Sequence, residues 1–89
     1  MSVYAVTYDL KKQGQNYEGV HDYLKKFKHC KKMESFWLID TSKGAGEIRD
    51  DLSKIVDSND VIFVAELKKH WASDRFTCST WLKDESRTW

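Results

Sequence analysis

Residues 2 to 10, Ser-Val-Tyr-Ala-Val-Thr-Tyr-Asp-Leu, alternate with a period of two, so that Tyr4, Val6, Tyr8 and Leu10 share an apolar face and Val3, Ala5, Thr7 and Asp9 the other. The pattern predicts a strand that delivers the Asp9 carboxylate at its carboxyl end, where backbone pairing stops and a metal ion or phosphate can approach. Read as local structure only, Asp9 starts the polar loop from Lys11 to Asn16. The period then changes. After Asn16, a plausible helix cap, Tyr17, Val20, Leu24 and Phe27 recur at helical spacing, with Glu18 and Asp22 early and Lys25, Lys26 and Lys28 late, as a helix dipole favours.

Met33 to Asp40 is too short, aromatic and branched for a helix and reads as a strand. Residues 29 to 32 suit a short preceding strand, joined by a tight turn or a bulge near Glu34, and the period does not choose between these. A second helix is expected from about Gly46 to Val56, with Ile48, Leu52 and Ile55 inward and Thr41 or Ser42 as cap. Asp57-Ser-Asn-Asp60 is a dense turn cluster, and Val61 to Leu67 reads as a central strand.

This order, strand, helix, strand pair, helix, strand, predicts an α+β domain of the ferredoxin-like βαββαβ type, an antiparallel sheet with both helices on one face. Residues 1 to 89 form one domain, with a core from 2 to 67 and a C-terminal extension from 68 to 89. The second sheet face then needs a cover. The extension carries Trp71, Phe76, Trp81 and Leu82, and it covers that face within its own chain or swapped across a dimer axis. Cys78, Trp81 and Leu82 also share one face of a short final helix.

Composition sharpens this picture in three ways. Aromatic residues make up 13% of only 89 residues, a surplus that suits an interface, with Trp71, Phe76 and Trp81 as its candidates. The net charge of +1 gives no global electrostatic case for nucleic acid. Its distribution is uneven: residues 1 to 43 hold eight lysines against five acids, and residues 44 to 89 hold seven basic against nine acidic side chains. Lys25, Lys26, Lys28, Lys31 and Lys32 are the candidate nucleic-acid contacts, with the solvated end of a helix as the plainer reading. Cys30 and Cys78 lack metal-ligand spacing and are expected to be reduced thiols, and His21, His29 and His70 complete no zinc pattern. With no apolar run of membrane length and no signal or transit pattern, a soluble, cytoplasmic protein without membrane partners is expected.

Tyr8-Asp9-Leu10, Ser35 to Leu38, Asp57 to Asp60 and Trp71-Ala72 resemble, in order and spacing, the SinR-like small bacterial and phage proteins related to the CRISPR-associated adaptation subunit. The resemblance spans residues 2 to about 72. It implies a ferredoxin-like homodimer, and in some members cleavage of RNA or DNA with a divalent metal. Asp9 alone stands where that family has its metal-binding acid, and Ser35 matches the serine of its second core strand. The family's arginine in or after the first helix is replaced here by Lys25, Lys26 and Lys28.

Two function classes follow. The favoured one is a dimeric binding or adaptor protein, a phage or bacterial modulator of a defence or nucleic-acid-processing complex. The alternative is a Mg²⁺-dependent endonuclease in which Asp9 from each subunit shares one ion that activates water against a phosphodiester. A nucleotide-binding module, with Trp37, Trp71 or Trp81 stacking on a base, is a third expectation. Gly44-Ala-Gly46 lacks the lysine and hydroxyl of a P-loop and reads as a helix entry.

Overall fold

The structure, a computed structural model, describes residues 1–11, 17–87 and 89. In chain order the elements are β1 (Ser2–Asp9), α1 (Tyr17–Leu24), β2 (Lys28–Met33), β3 (Phe36–Thr41), α2 (Ala45–Ser53), β4 (Val61–Glu66) and α3 (Cys78–Lys83). The strands form one four-stranded sheet in the order β2-β3-β1-β4, with every neighbouring pair antiparallel. The α+β arrangement expected from the sequence is present, with a third helix added by the C-terminal extension. Asn16, read as a helix cap, lies outside the described residues.

Alternation along β1 separates two cores. On one face Tyr4, Val6, Tyr8 and Leu10 pack with Trp37 and Ile39 of β3 under Val20 and Leu24 of α1 and Ile48 and Leu52 of α2. Both helices therefore lie on one side of the sheet. The helices come close because Gly19 has no side chain: a Cβ there would sit 2.9 Å from Ile55 Cγ2. On the other face Val3 and Leu38 are buried with Cys78 and Leu82, flanked by Trp71, Phe76, Trp81 and Trp89. The extension thus covers this face within its own chain.

Several local expectations are corrected. Helix α1 stops at Leu24, because its end tightens: Lys26 and Phe27 donate to the carbonyls of Tyr23 and Leu24, three residues back. Lys28 is consequently on β2 and not on the helix. β2 and β3 are joined by Glu34 and Ser35, with Ser35 in the left-handed region at φ 55°, and the β2 register shifts between Cys30 and Met33. Both the turn and the irregularity anticipated near Glu34 occur.

Neither Thr41 nor Ser42 is the cap of α2. Gly44 is, and its N–H donates to Glu47 Oε1 at 3.0 Å, so the helix entry is filled by the chain's own carboxylate. Strand β4, read as central, is an edge strand. Cys30 and Cys78, read as thiols, are joined in a disulfide across a Cα separation of 5.9 Å, tying β2 to α3. They meet because the extension folds back over the sheet, which no local spacing reports.

Candidate functional site

Asp9 is the last residue of β1, paired with Val61 at the start of β4. Its side chain is 70% exposed and bonded by Lys11 Nζ at 2.9 Å. That hydrogen bond and the Asp9 charge raise the Lys11 pKa. The strand end is held by Asp60, which accepts the Lys11 N–H at 2.8 Å through Oδ1 and the Asp57 N–H at 2.9 Å through Oδ2. Among the described residues no group of three His, Cys, Asp or Glu side chains converges on a metal-sized site. Asp9 is countered by a lysine two residues away, and the Asp60 carboxylate at the same strand end is taken up by backbone N–H groups.

The five candidate lysines gather at the opposite edge of the sheet. Lys25 and Lys26 lie in the tightened turn after α1, while Lys28, Lys31 and Lys32 are on β2. Lys31 holds its ammonium 5.9 Å from the centroid of Trp37. This arrangement is a charged sheet edge and not a helix end. It gives one strand three cations that an acidic partner or a phosphate chain can meet.

Beside these lysines is a network that the sequence reading left out. Trp37 Nε1–H, which can only donate, bonds the Tyr8 hydroxyl oxygen at 3.1 Å, and the same hydroxyl shares a 3.1 Å hydrogen bond with His21 Nε2 whose donor is set by the imidazole tautomer. The His21 ring lies 5.4 Å from Trp37 and 6.2 Å from Tyr17. The His29 ring also lies 5.3 Å from Trp37, and its Nδ1–H donates to the Phe27 carbonyl at 2.8 Å. Burial, then the charges of Lys31 and Lys25, lower the His21 pKa, and burial raises that of Tyr8. Both shifts favour the uncharged forms of His21 and Tyr8 below a cationic rim. A signal for it was present: Tyr17 and His21 are four residues apart on one helix face, and Tyr8 and Trp37 are both inward positions of their strands.

Trp71, Phe76 and Trp81, expected at an interface, pack within the chain against the second sheet face. Phe76 meets Phe36 edge to face at 6.3 Å, and Arg87 lies over Trp81 at 4.2 Å. What remains open is β4. Phe63 is 61% and Val61 51% exposed, on the strand whose outer edge has no neighbour among the described residues.

No protein-family model matches the chain, and no solved structure matches it. No helix among the described residues is long and apolar enough to cross a membrane.

Proposed function

We propose that the protein is a dimeric binding protein of adaptor type, whose two copies join edge to edge through β4. One contrast carries this reading. The β2 edge, Lys-His-Cys-Lys-Lys-Met, bears three lysines, the usual guard against adding another strand, whereas the β4 edge, Val-Ile-Phe-Val-Ala-Glu, has no guard until its last residue. A strand with the composition of a sheet centre stands at a sheet edge. A second copy is the occupant that suits it, since two-fold antiparallel pairing about Val64 keeps both side-chain faces in phase and sets Lys68 against Asp60 of the second copy.

The ferredoxin-like assignment and the resemblance to the CRISPR-associated adaptation subunit agree with a dimeric platform of this kind, as does the element order. The joined sheet would carry a lysine-bearing β2 at each outer edge, available to an acidic protein or to nucleic acid in a host defence or nucleic-acid-processing complex. The same pairing separates the two Asp9 carboxylates by about 25 Å, from six residues of strand offset and three strand spacings. Shared Mg²⁺ chemistry would need a different dimer.

A cytoplasmic location is an expectation that the Cys30–Cys78 bond complicates, because such bonds persist in oxidising compartments. The test of the function is the mass in solution, measured by light scattering at micromolar concentration. A dimer is expected for the natural sequence and a folded monomer for the double variant Val61→Lys, Phe63→Lys, which transplants the β2 guard onto exposed β4 positions. A natural monomer ends the proposal.

A further inference from the structure

The C-terminal extension does more than cover the sheet. Its outer side forms an open groove of ≈ 1000 Å³ lined entirely by residues between 69 and 83. Lys69, Arg75 and Lys83 supply three cations to its wall, and no carboxylate lines it. Trp71 and Phe76 supply half-buried rings, and Thr80 is among its hydroxyls. In a chain whose net charge is only +1, this is a local concentration of positive charge beside aromatic surface.

We propose that this groove binds single-stranded nucleic acid. Three wall cations, of which only Arg75 is ion-paired among the described residues, complement a run of phosphates, and a half-buried tryptophan whose inner side is fixed against the sheet gives a base a preorganised surface on which to stack. An open groove of this volume exceeds what one nucleotide fills and suits a strand that passes through. Arg75 is available to phosphate: its ion pair with Asp74 is long, 3.7 Å, and both side chains are almost fully exposed. Its backbone, at φ 57°, is in the left-handed region, so the turn that presents it is one that arginine rarely adopts. The Cys30–Cys78 bond holds the groove to the sheet beneath it. The inference is independent of how β4 is used, since no residue of β4 lines the groove.

The experiment is anisotropy of labelled ten-nucleotide dT and rU strands with the full chain in EDTA, so that binding is read without metal chemistry. The natural protein is expected to bind, with affinity falling about 20-fold between 50 and 200 mM salt, the response of roughly three neutralised phosphates on a single strand. Arg75→Glu with Lys83→Glu, both at exposed positions, should reduce affinity at least about ten-fold, while Arg49→Glu with Lys54→Glu, at exposed positions on α2 and at its end, should leave it within two-fold. Tryptophan quenching by the strand should be diminished in Trp71→Phe, which keeps an apolar ring in the core. Equal loss in the α2 double variant, unchanged binding in the groove variant, or equal affinity for a mononucleotide would each overturn the assignment. Far-ultraviolet circular dichroism of each variant separates lost binding from lost fold.

Discussion

Arg87 places Nη1 2.8 Å from Oδ2 of Asp40, joining the end of the chain to the middle of the sheet across 47 residues of sequence. The side chains are 8% and 1% exposed, and the guanidinium lies over Trp81. Asp40 stands opposite Val3 on the face that the extension covers, so its charge is buried only because the extension brings a cation to it. Of the possible contacts, Asp40 Oδ1 and Arg87 Nε make none among the described residues. The pair fixes where the extension docks more than it adds to stability.

Removing one partner should therefore cost far more than removing both. Arg87→Met, which leaves the Asp40 carboxylate buried alone, is expected to destabilise by about 3 to 5 kcal/mol, and Asp40→Leu with Arg87→Met by much less. Urea unfolding of the two single variants and the double variant measures this coupling. Additive losses would show that the two charges act independently.

The disulfide makes a second anchor, and its contribution follows from the chain it closes. A bridge between residues 48 apart removes about 4 kcal/mol of loop entropy from the unfolded state. Cys78→Ser should lower stability by up to about that amount, and reductant should lower the natural protein to the same level without affecting the variant. Thiol titration of the unfolded, unreduced protein should find no free cysteine. Two titratable thiols would restore the reduced reading of the sequence.

How much of this was legible depends on the range over which each feature is decided. β1 and α2 were legible because alternation in Val3 to Tyr8 and the spacing of Ile48 and Leu52 are local signals of a half-buried element. α1 was read too long, since Phe27 falls at helical spacing and is indeed against the core, yet it arrives there from a tightened turn. Strand β2 has almost no apolar alternation, so its first residue, Lys28, reads as part of the helix before it, while residues 29 to 32 read as a short strand. The position of β4 at the edge is a property of sheet order, to which its own residues contribute nothing. The Cys30–Cys78 and Asp40–Arg87 pairs were illegible for the same reason: each joins segments that only the folded extension brings together.

His21 predicts a pH dependence. Its folded pKa is lowered from 6.5 by burial and by Lys31 and Lys25, so the unfolded chain binds the proton more readily. The stabilising contribution is complete above pH 6.5 and is lost as pH falls through the lowered folded value. Urea midpoints of the natural protein should decline between pH 7 and pH 5, and His21→Gln should flatten that decline. An unchanged slope in the variant would assign it to other groups.

Asp51 sets a separate, more acidic window. Its Oδ2 accepts Tyr23 O–H at 2.6 Å and Lys43 Nζ–H at 2.9 Å, linking α1 to α2, and these two bonds lower its pKa. A carboxylate with a lowered folded pKa stabilises above its ordinary value near 3.8 and loses that contribution as pH falls through the folded value. Asp51→Asn should lower the melting temperature at pH 7 and narrow the difference from the natural protein at pH 2 to 3. An equal deficit at both pH values would contradict the ionic account.

Asp9 decides between the binding and nuclease readings. If copies meet through β4, each Asp9 remains alone with Lys11, and a single exposed carboxylate holds Mg²⁺ weakly. Millimolar Mg²⁺ should then leave the melting temperature unchanged, and Asp9→Asn should change the stability by no more than about 0.5 kcal/mol and leave the mass in solution as it is. The opposite outcome has its own signature: cleavage of RNA or DNA that requires Mg²⁺, is lost in Asp9→Asn, and comes with a Mg²⁺-dependent rise in melting temperature. Those three effects together would mean that the copies meet with their β1 ends adjacent, and Lys11 would then have to leave Asp9 for the ion to enter.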